Sequence, residues 1–323
     1  MLPTATVRLP ACCRSLAIAL LLPAAALAEF YPLPPGDDVI GEAAEITAVY
    51  EDTLVDIGRR HGLGYEELLL ANPGVDPWLP GEGTVIRLPS QFVLPVARRE
   101  GLVVNVAEFR LYYFPPGDGP QRVASFPISI GRQDWSTPVG RARIVSKVRN
   151  PAWYPPASVR EEYAAEGRRL PRVVPPGPKN PLGAYALRLS LPGYLIHGTN
   201  RPAGVGMRVT HGCIRMFPED IDWLFPRIPL DTPVQIVNQP YKLGWRGEQL
   251  LLEVHPPLPE DSERAAQGLT AITSLYVAAT RERPAEVDWA LIERVYAEHR
   301  GLPVAIGRAA GEQPATVAEA GSN

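Results

Sequence analysis

The residue types that can do chemistry concentrate in one short stretch: Ile196-His197-Gly198-Thr199-Asn200 and then Thr210-His211-Gly212-Cys213-Ile214-Arg215-Met216. Two of the five histidines and a cysteine fall within seventeen positions, 197 to 213. A thiol is a weak nucleophile until it loses its proton, with an ordinary pKa of about 8.5. A nearby imidazole can take that proton and leave a reactive thiolate, so His197 and Cys213 make a base and nucleophile pair. Gly212 lets the backbone bend sharply before the sulfur and brings amides close to an acyl carbonyl, the makings of an oxyanion hole. Arg215 lies two residues beyond Cys213. In an extended segment it projects to the same side, where it can hold a substrate carboxylate. Two other readings stay open at this point. A lone buried cysteine is ordinarily inert core, and His197, His211 and Cys213 are also zinc-ligand types, although no fourth ligand stands at a usual spacing.

These side chains must be positioned by a mainly β region. Short runs rich in Val, Ile and Tyr (102–106, 122–130, 142–148, 185–191, 194–197 and 233–237) are separated by Gly, Pro and Asp clusters, which predicts a sandwich or barrel over residues 100–238. Residues 149–182 form a Pro-rich insertion of the length expected for a lid or substrate wall. Upstream, residues 45–89 read as strand, helix, helix, strand. Thr53 caps a helix that ends at His61-Gly62, and Tyr65–Ala71 is a second helix with Leu68 and Leu69 facing inward. Residues 29–44, with Pro32, Pro34, Pro35 and Gly36, read as a linker. Downstream, residues 239–308 form a C-terminal extension with a short β segment near Leu250–Val254 and helical spacing over 259–277 and 285–299; residues 309–323 read as a disordered tail. His61, His255 and His299 read as surface or structural residues.

The N-terminus reads as a signal peptide, residues 1–28. Arg8 and Arg14 precede an apolar run too short to span a bilayer, and Ala26-Leu27-Ala28 supplies a small-x-small cleavage pattern. Cleavage removes Cys12 and Cys13, leaves Cys213 as the only thiol, and leaves no transmembrane span. The formal net charge of −3 gives no general attraction to nucleic acid. The 37 prolines favour strands joined by fixed turns over long helices.

The run LIHGTNRPAGVGMRVTHGCIRMFPEDIDWLF (195–225), with STPVG at 136–140, resembles the signature of YkuD-type (ErfK/YbiS-like) L,D-transpeptidases. Thr210 stands where serine is more frequent and keeps the hydroxyl. The resemblance implies a β-sandwich catalytic domain with Cys213 as nucleophile and His197 as base. The Gly198 carbonyl would orient His197, His211 and Gly212 would shape the oxyanion site, and Arg215 would belong to the substrate pocket. It further implies a periplasmic enzyme that needs no cofactor or metal. Its partners would be peptidoglycan tetrapeptide stems, joined as 3→3 cross-links or linked to an outer-membrane lipoprotein. The stretches EDTLVDIGRRHGLGYEELLLANPGVDP and GTVIRLP resemble a LysM domain, with Glu51-Asp52-Thr53-Leu54 where that family usually has Gly-Asp-Thr-Leu. This implies a glycan-binding anchor that takes no part in the chemistry. A wall-binding protein whose catalytic fold has lost activity is the remaining alternative; His197, Gly212, Cys213 and Arg215 standing together argue against it.

Overall fold

A computed structural model of the chain describes residues 30–311, so the expected signal peptide and the residues beyond Gly311 lie outside it. The chain opens with β1 (Tyr31–Pro32), β2 (Val39–Gly41), β3 (Ala44–Thr47), α1 (Leu54–His61), α2 (Tyr65–Ala71), β4 (Val85–Leu88) and β5 (Gln91–Val93). The sequence expectation of a free linker over 29–44 is corrected here. β1 pairs with Arg122 and Val123, and β2 pairs with β5, so the prolines punctuate paired segments. The strand-helix-helix-strand unit closes through β3 and β4, antiparallel from Ala44 with Leu88 to Thr47 with Val85. Local chemistry sets its helix ends. The Thr53 hydroxyl accepts from the Asp56 amide at 3.1 Å, and Gly62 ends α1 at φ 63°, a left-handed geometry that suits glycine. In α2 it is Glu67, not Leu69, that joins Leu68 inside. The unit is not a separate bead. Its Leu54, Ile57, Leu68 and Ile86 share one core with Val103, Tyr112, Phe114 and Val123 of the region that follows.

That region is built from β6 (Gly101–Asn105), β7 (Arg110–Phe114), β8 (Arg122–Gly131), β9 (Gly140–Arg149), α3 (Ala157–Ala165), β10 (Tyr185–Leu189), β11 (Leu195–His197), β12 (Arg208–Thr210), β13 (Ile214–Met216), α4 (Pro218–Leu224) and β14 (Pro233–Val237). Its two layers are the expected sandwich, but joined along both sides. β8 pairs with β7 through Ala124–Pro127 and then with β13 through Ile128 and Ser129. β9 pairs with β14 through Gly140–Arg143 and with β10 through Ile144–Arg149. The ladder therefore runs β8-β13-β11-β10-β9-β14-β6-β7 and returns to β8. Two ten-residue strands that change layers are the corners that allow this. The interior is filled by Leu102, Leu111, Phe126, Ile128, Leu187, Ile196, Ile214 and Ile236, all buried.

The C-terminal extension holds β15 (Tyr241–Arg246), β16 (Gln249–Val254), α5 (Ser262–Ala266), α6 (Gly268–Ala279), β17 (Ala285–Val287), α7 (Trp289–Glu298) and β18 (Val304–Ala309). Its four strands form a separate antiparallel sheet covered by α6 and α7. Three expectations change. The helix over 259–277 breaks before Gly268, where any Cβ would lie 2.1 Å from the Tyr296 hydroxyl. Residues 285–287 are a strand, and Ala309 ends β18 rather than opening a tail. The extension is clamped to the rest by a buried ion network. Lys242 pairs with Glu108 and, at 2.8 Å, with Glu253, while Glu253 accepts from the Val93 amide at 2.6 Å. No helix of the described residues is long and apolar enough to cross a membrane.

Candidate active site

His197 ends β11, and Arg215 is the middle residue of β13. The two strands run parallel and adjacent, with Ile196 opposite Ile214 and His197 opposite Arg215. Paired residues of a ladder project to the same face, and so does a residue two positions away on one strand. Cys213, immediately before β13, therefore falls on the face of His197 and Arg215. Its Cα is offset from that of His197 by about 5 Å across the ladder and about 6–7 Å along it, a span that two side chains can bridge.

The turn that presents Cys213 is over-determined. Gly212 sits at φ 95°, and a Cβ there would stand 2.8 Å from the Tyr194 ring. The Thr210 hydroxyl donates to the Cys213 carbonyl at 2.6 Å. From the STPVG segment, the Thr137 hydroxyl donates to the Gly212 carbonyl at 2.8 Å and accepts from the Gly131 amide at 3.0 Å. In a planar trans peptide the N–H points opposite to the C=O. Holding the Gly212 carbonyl toward Thr137 thus aims the Cys213 N–H away from Thr137.

His197 is buried, and its Nδ1 lies 2.6 Å from the Gly198 carbonyl. A carbonyl can only accept, so Nδ1 carries the proton and Nε2 keeps a free lone pair. Burial, then the Arg215 charge, bring the imidazole pKa down to about 4 against the pull of the Gly198 carbonyl. Burial pushes the Cys213 thiol up, opposed by the Leu195 backbone and by Arg215. Burial thus disfavours the charged form of both partners, the thiolate and the imidazolium. The sulfur's hydrogen-bond contact is the Gly193 carbonyl, at 3.7 Å. The Arg215 guanidinium is itself disfavoured by burial and then by Arg201, and its buried Nε has no hydrogen-bond partner.

His211 does not join this face. Its Nε2 is 2.9 Å from Glu162 of α3, and its ring meets Trp135 edge-on at 5.2 Å. Glu162 also accepts from Arg132 at 2.6 Å, which ties the Pro-rich insertion to the site. His197 Nδ1, His211 Nε2 and the Cys213 sulfur thus meet three different partners, Gly198, Glu162 and Gly193, and do not converge as a zinc set. Among the described residues, the cluster whose potential ligand atoms lie within 4.8 Å of one another is Glu108, Glu253 and His255. There the Lys242 ammonium, paired with both carboxylates, already supplies the cation. Sequence reasoning missed Thr137 and Glu162 as individual residues, although it marked both of their segments.

Residues 99–236 match the family described as the YkuD L,D-transpeptidase catalytic domain. The chain is 41% identical over 300 residues to the probable L,D-transpeptidase YcfS of Escherichia coli K12, spanning 90% of this chain and 92% of that protein. It is 40% identical over 286 residues to the probable L,D-transpeptidase ErfK/SrfK of Salmonella typhimurium LT2, spanning 87% and 92%. To the probable L,D-transpeptidase YbiS of Escherichia coli K12 it is 38% identical over 280 residues, spanning 85% and 90%. With that domain match and relatives covered over most of their length, the chain belongs to the YkuD-domain L,D-transpeptidase family.

Proposed function

We propose that the chain is an exported peptidoglycan L,D-transpeptidase working through an acyl-enzyme on Cys213. The observation that carries this reading is the shared face: a thiol, a neutral imidazole with a free Nε2, and a half-buried guanidinium whose buried Nε lacks a partner among the described residues. Arg215 holds a carboxylate of a tetrapeptide stem and so places the carbonyl between residues three and four at the sulfur. As sulfur attacks, Nε2 of His197 takes the thiol proton, and the Cys213 N–H, aimed by Thr137, stabilises the developing oxyanion. Collapse breaks the peptide bond; His197 returns the proton to the leaving amine, and D-alanine departs. An acceptor amine then attacks the thioester, His197 takes its proton, and the sulfur leaves. A diaminopimelate side-chain amine gives a 3→3 cross-link, and a C-terminal lysine of an outer-membrane lipoprotein gives a wall tether. Residues 1–28 direct the chain to the periplasm, where both acceptors lie.

The unit over residues 45–89 is a LysM-like glycan reader on the same reading. Val49 and Tyr50 in the loop after β3, and Trp78 and Leu79 in the loop before β4, are exposed apolar side chains. The two loops are stitched together by the Leu54 amide donating to the Pro77 carbonyl at 2.8 Å. Such a strip suits the apolar faces of sugar rings.

Incubation with disaccharide-tetrapeptide tests the proposal. Intact-mass analysis is expected to show an acyl adduct with loss of D-alanine, absent from Cys213→Ala, followed by cross-linked dimer. Turnover by Cys213→Ala at the wild-type rate would sink it.

A further inference from the structure

The βααβ unit touches the loop that connects His197 to Cys213. The Tyr65 and Glu66 amides, the first of α2, donate to the Val205 and Gly206 carbonyls at 3.4 and 3.2 Å. The two backbones meet closely: a Cβ on Gly206 would lie 2.4 Å from the Gly64 Cα, and one on Gly64 would lie 2.9 Å from the Gly206 Cα. Two residues back along the loop, Gly204 lies against Arg215, where a Cβ would come within 3.3 Å of Nη1. Its carbonyl is held at 2.7 Å by the hydroxyl of Ser129, the ladder partner of Arg215. The unit is also bolted down by the buried Glu67 and Arg110 pair at 2.6 and 2.9 Å, and by Arg59 with Glu219 at 2.7 and 3.0 Å.

We infer that the unit over residues 45–89 positions the active site: through Gly64, Tyr65 and Glu66 it fixes the 203–206 loop that shapes the seat of Arg215. This rests on the reading of Arg215 as the carboxylate holder, and it replaces the expectation that the unit is a passive anchor. Gly64, Tyr65 and Glu66 touch no reacting atom; they are positioning residues.

Gly64→Ala is the sharpest test. Gly64 has φ −84°, which alanine adopts freely, so the substitution acts by crowding, first the Gly206 Cα at 2.9 Å and then the Glu67 carboxylate at 3.1 Å. With soluble tetrapeptide, KM is expected to rise about tenfold while kcat stays within about twofold, as for a carboxylate contact that is loosened and not lost. A stem whose carboxylate is amidated is expected to show no such rise. Tyr65→Pro compared with Tyr65→Ala isolates the contact made by the amide, since proline suits the first helical position but replaces the N–H with a ring carbon that the Val205 carbonyl must move away from; an about threefold further rise in KM is expected. Hydrogen exchange over residues 203–206 is expected to quicken in Gly64→Ala and in Tyr65→Pro. A folded Gly64→Ala with unchanged KM and unchanged loop exchange overturns the inference, as does equal damage to both substrates. If the wild-type chain does not turn over tetrapeptide, the proposed function falls by itself. The bracing is then judged by loop exchange, faster exchange supporting it and unchanged exchange overturning it.

Discussion

Two arginines, one wholly buried at the seam with the βααβ unit and one half-buried beside Cys213, are dressed in opposite ways. Arg110, 1% exposed at the seam with the βααβ unit, spends its donors on Glu67, on the Ser125 hydroxyl at 2.9 Å and on the Gly62 carbonyl at 3.0 Å, and lies 3.9 Å over the Phe92 ring. Burial works against its charge, but Glu67 more than offsets it, and its pKa is raised. Arg215 is half-buried without an ion pair among the described residues, and burial and then the charge of Arg201 lower its pKa. A satisfied buried cation holds a fold together. One left short of donors' partners costs stability and is kept where a ligand completes it.

The largest effect tests the first arginine. Arg110→Met strands the Glu67 carboxylate in the seam and is expected to cost about 3–5 kcal/mol, read as a fall of roughly 10 °C in thermal midpoint. Adding Glu67→Leu is expected to return most of that loss; an unrecovered midpoint would mean the pair matters for more than its charges. Arg215→Met is expected to leave the thermal midpoint unchanged or higher while lowering kcat/KM by about 10–100-fold, the scale of a lost charge-assisted contact. The acid limb of its rate profile should also move up from near pH 4, since Arg215 is one of the two causes that hold the His197 imidazole down. A destabilised Arg215→Met with normal KM would erase the contrast. The smallest effect concerns Asp220, buried beside the same seam with Oδ2 unpartnered and its pKa pushed to about 8 by burial and by Glu219. Its raised value costs nothing below the ordinary carboxyl pKa of 3.8 and progressively more as pH rises toward 8. Asp220→Asn is expected to gain about 1 kcal/mol at pH 7.5 and nothing near pH 3.5, in paired urea melts.

What was legible in the sequence was local. Thr53 and Gly62 mark the ends of α1, and α2 begins and ends at Tyr65 and Ala71 as its pattern indicates. The spacing of His197, Cys213 and Arg215 contains the shared face, given only that both segments are extended. What was hidden depends on distant partners. β7 opens with a charged residue and is buried on both sides, so Arg110–Phe114 lacks the alternation of a half-exposed strand. The inward turn of Glu67 makes sense only once Arg110, 43 residues away, is beside it. Likewise, β1 is two residues long and exists because Tyr31 meets Val123. Thr137 finds its carbonyl 75 residues on, so STPVG signals importance without disclosing the hydrogen bond.

The closed circuit of eight strands has a consequence for recognition. β13, the strand that Cys213 leads into, is flanked by β11 on one side and by β8 on the other. A peptide arriving at Cys213 therefore cannot lie down as one more strand beside β13, the mode in which backbone ladders read ordinary L-chains. It has to be read by side chains and loops: by charge, by the bulk of the Pro-rich insertion, and by the shape of one carbonyl. A catalytic strand already paired on both sides is thus indifferent to the regular main-chain geometry of its ligand, and that indifference suits peptides whose chirality and linkages would fail on a sheet.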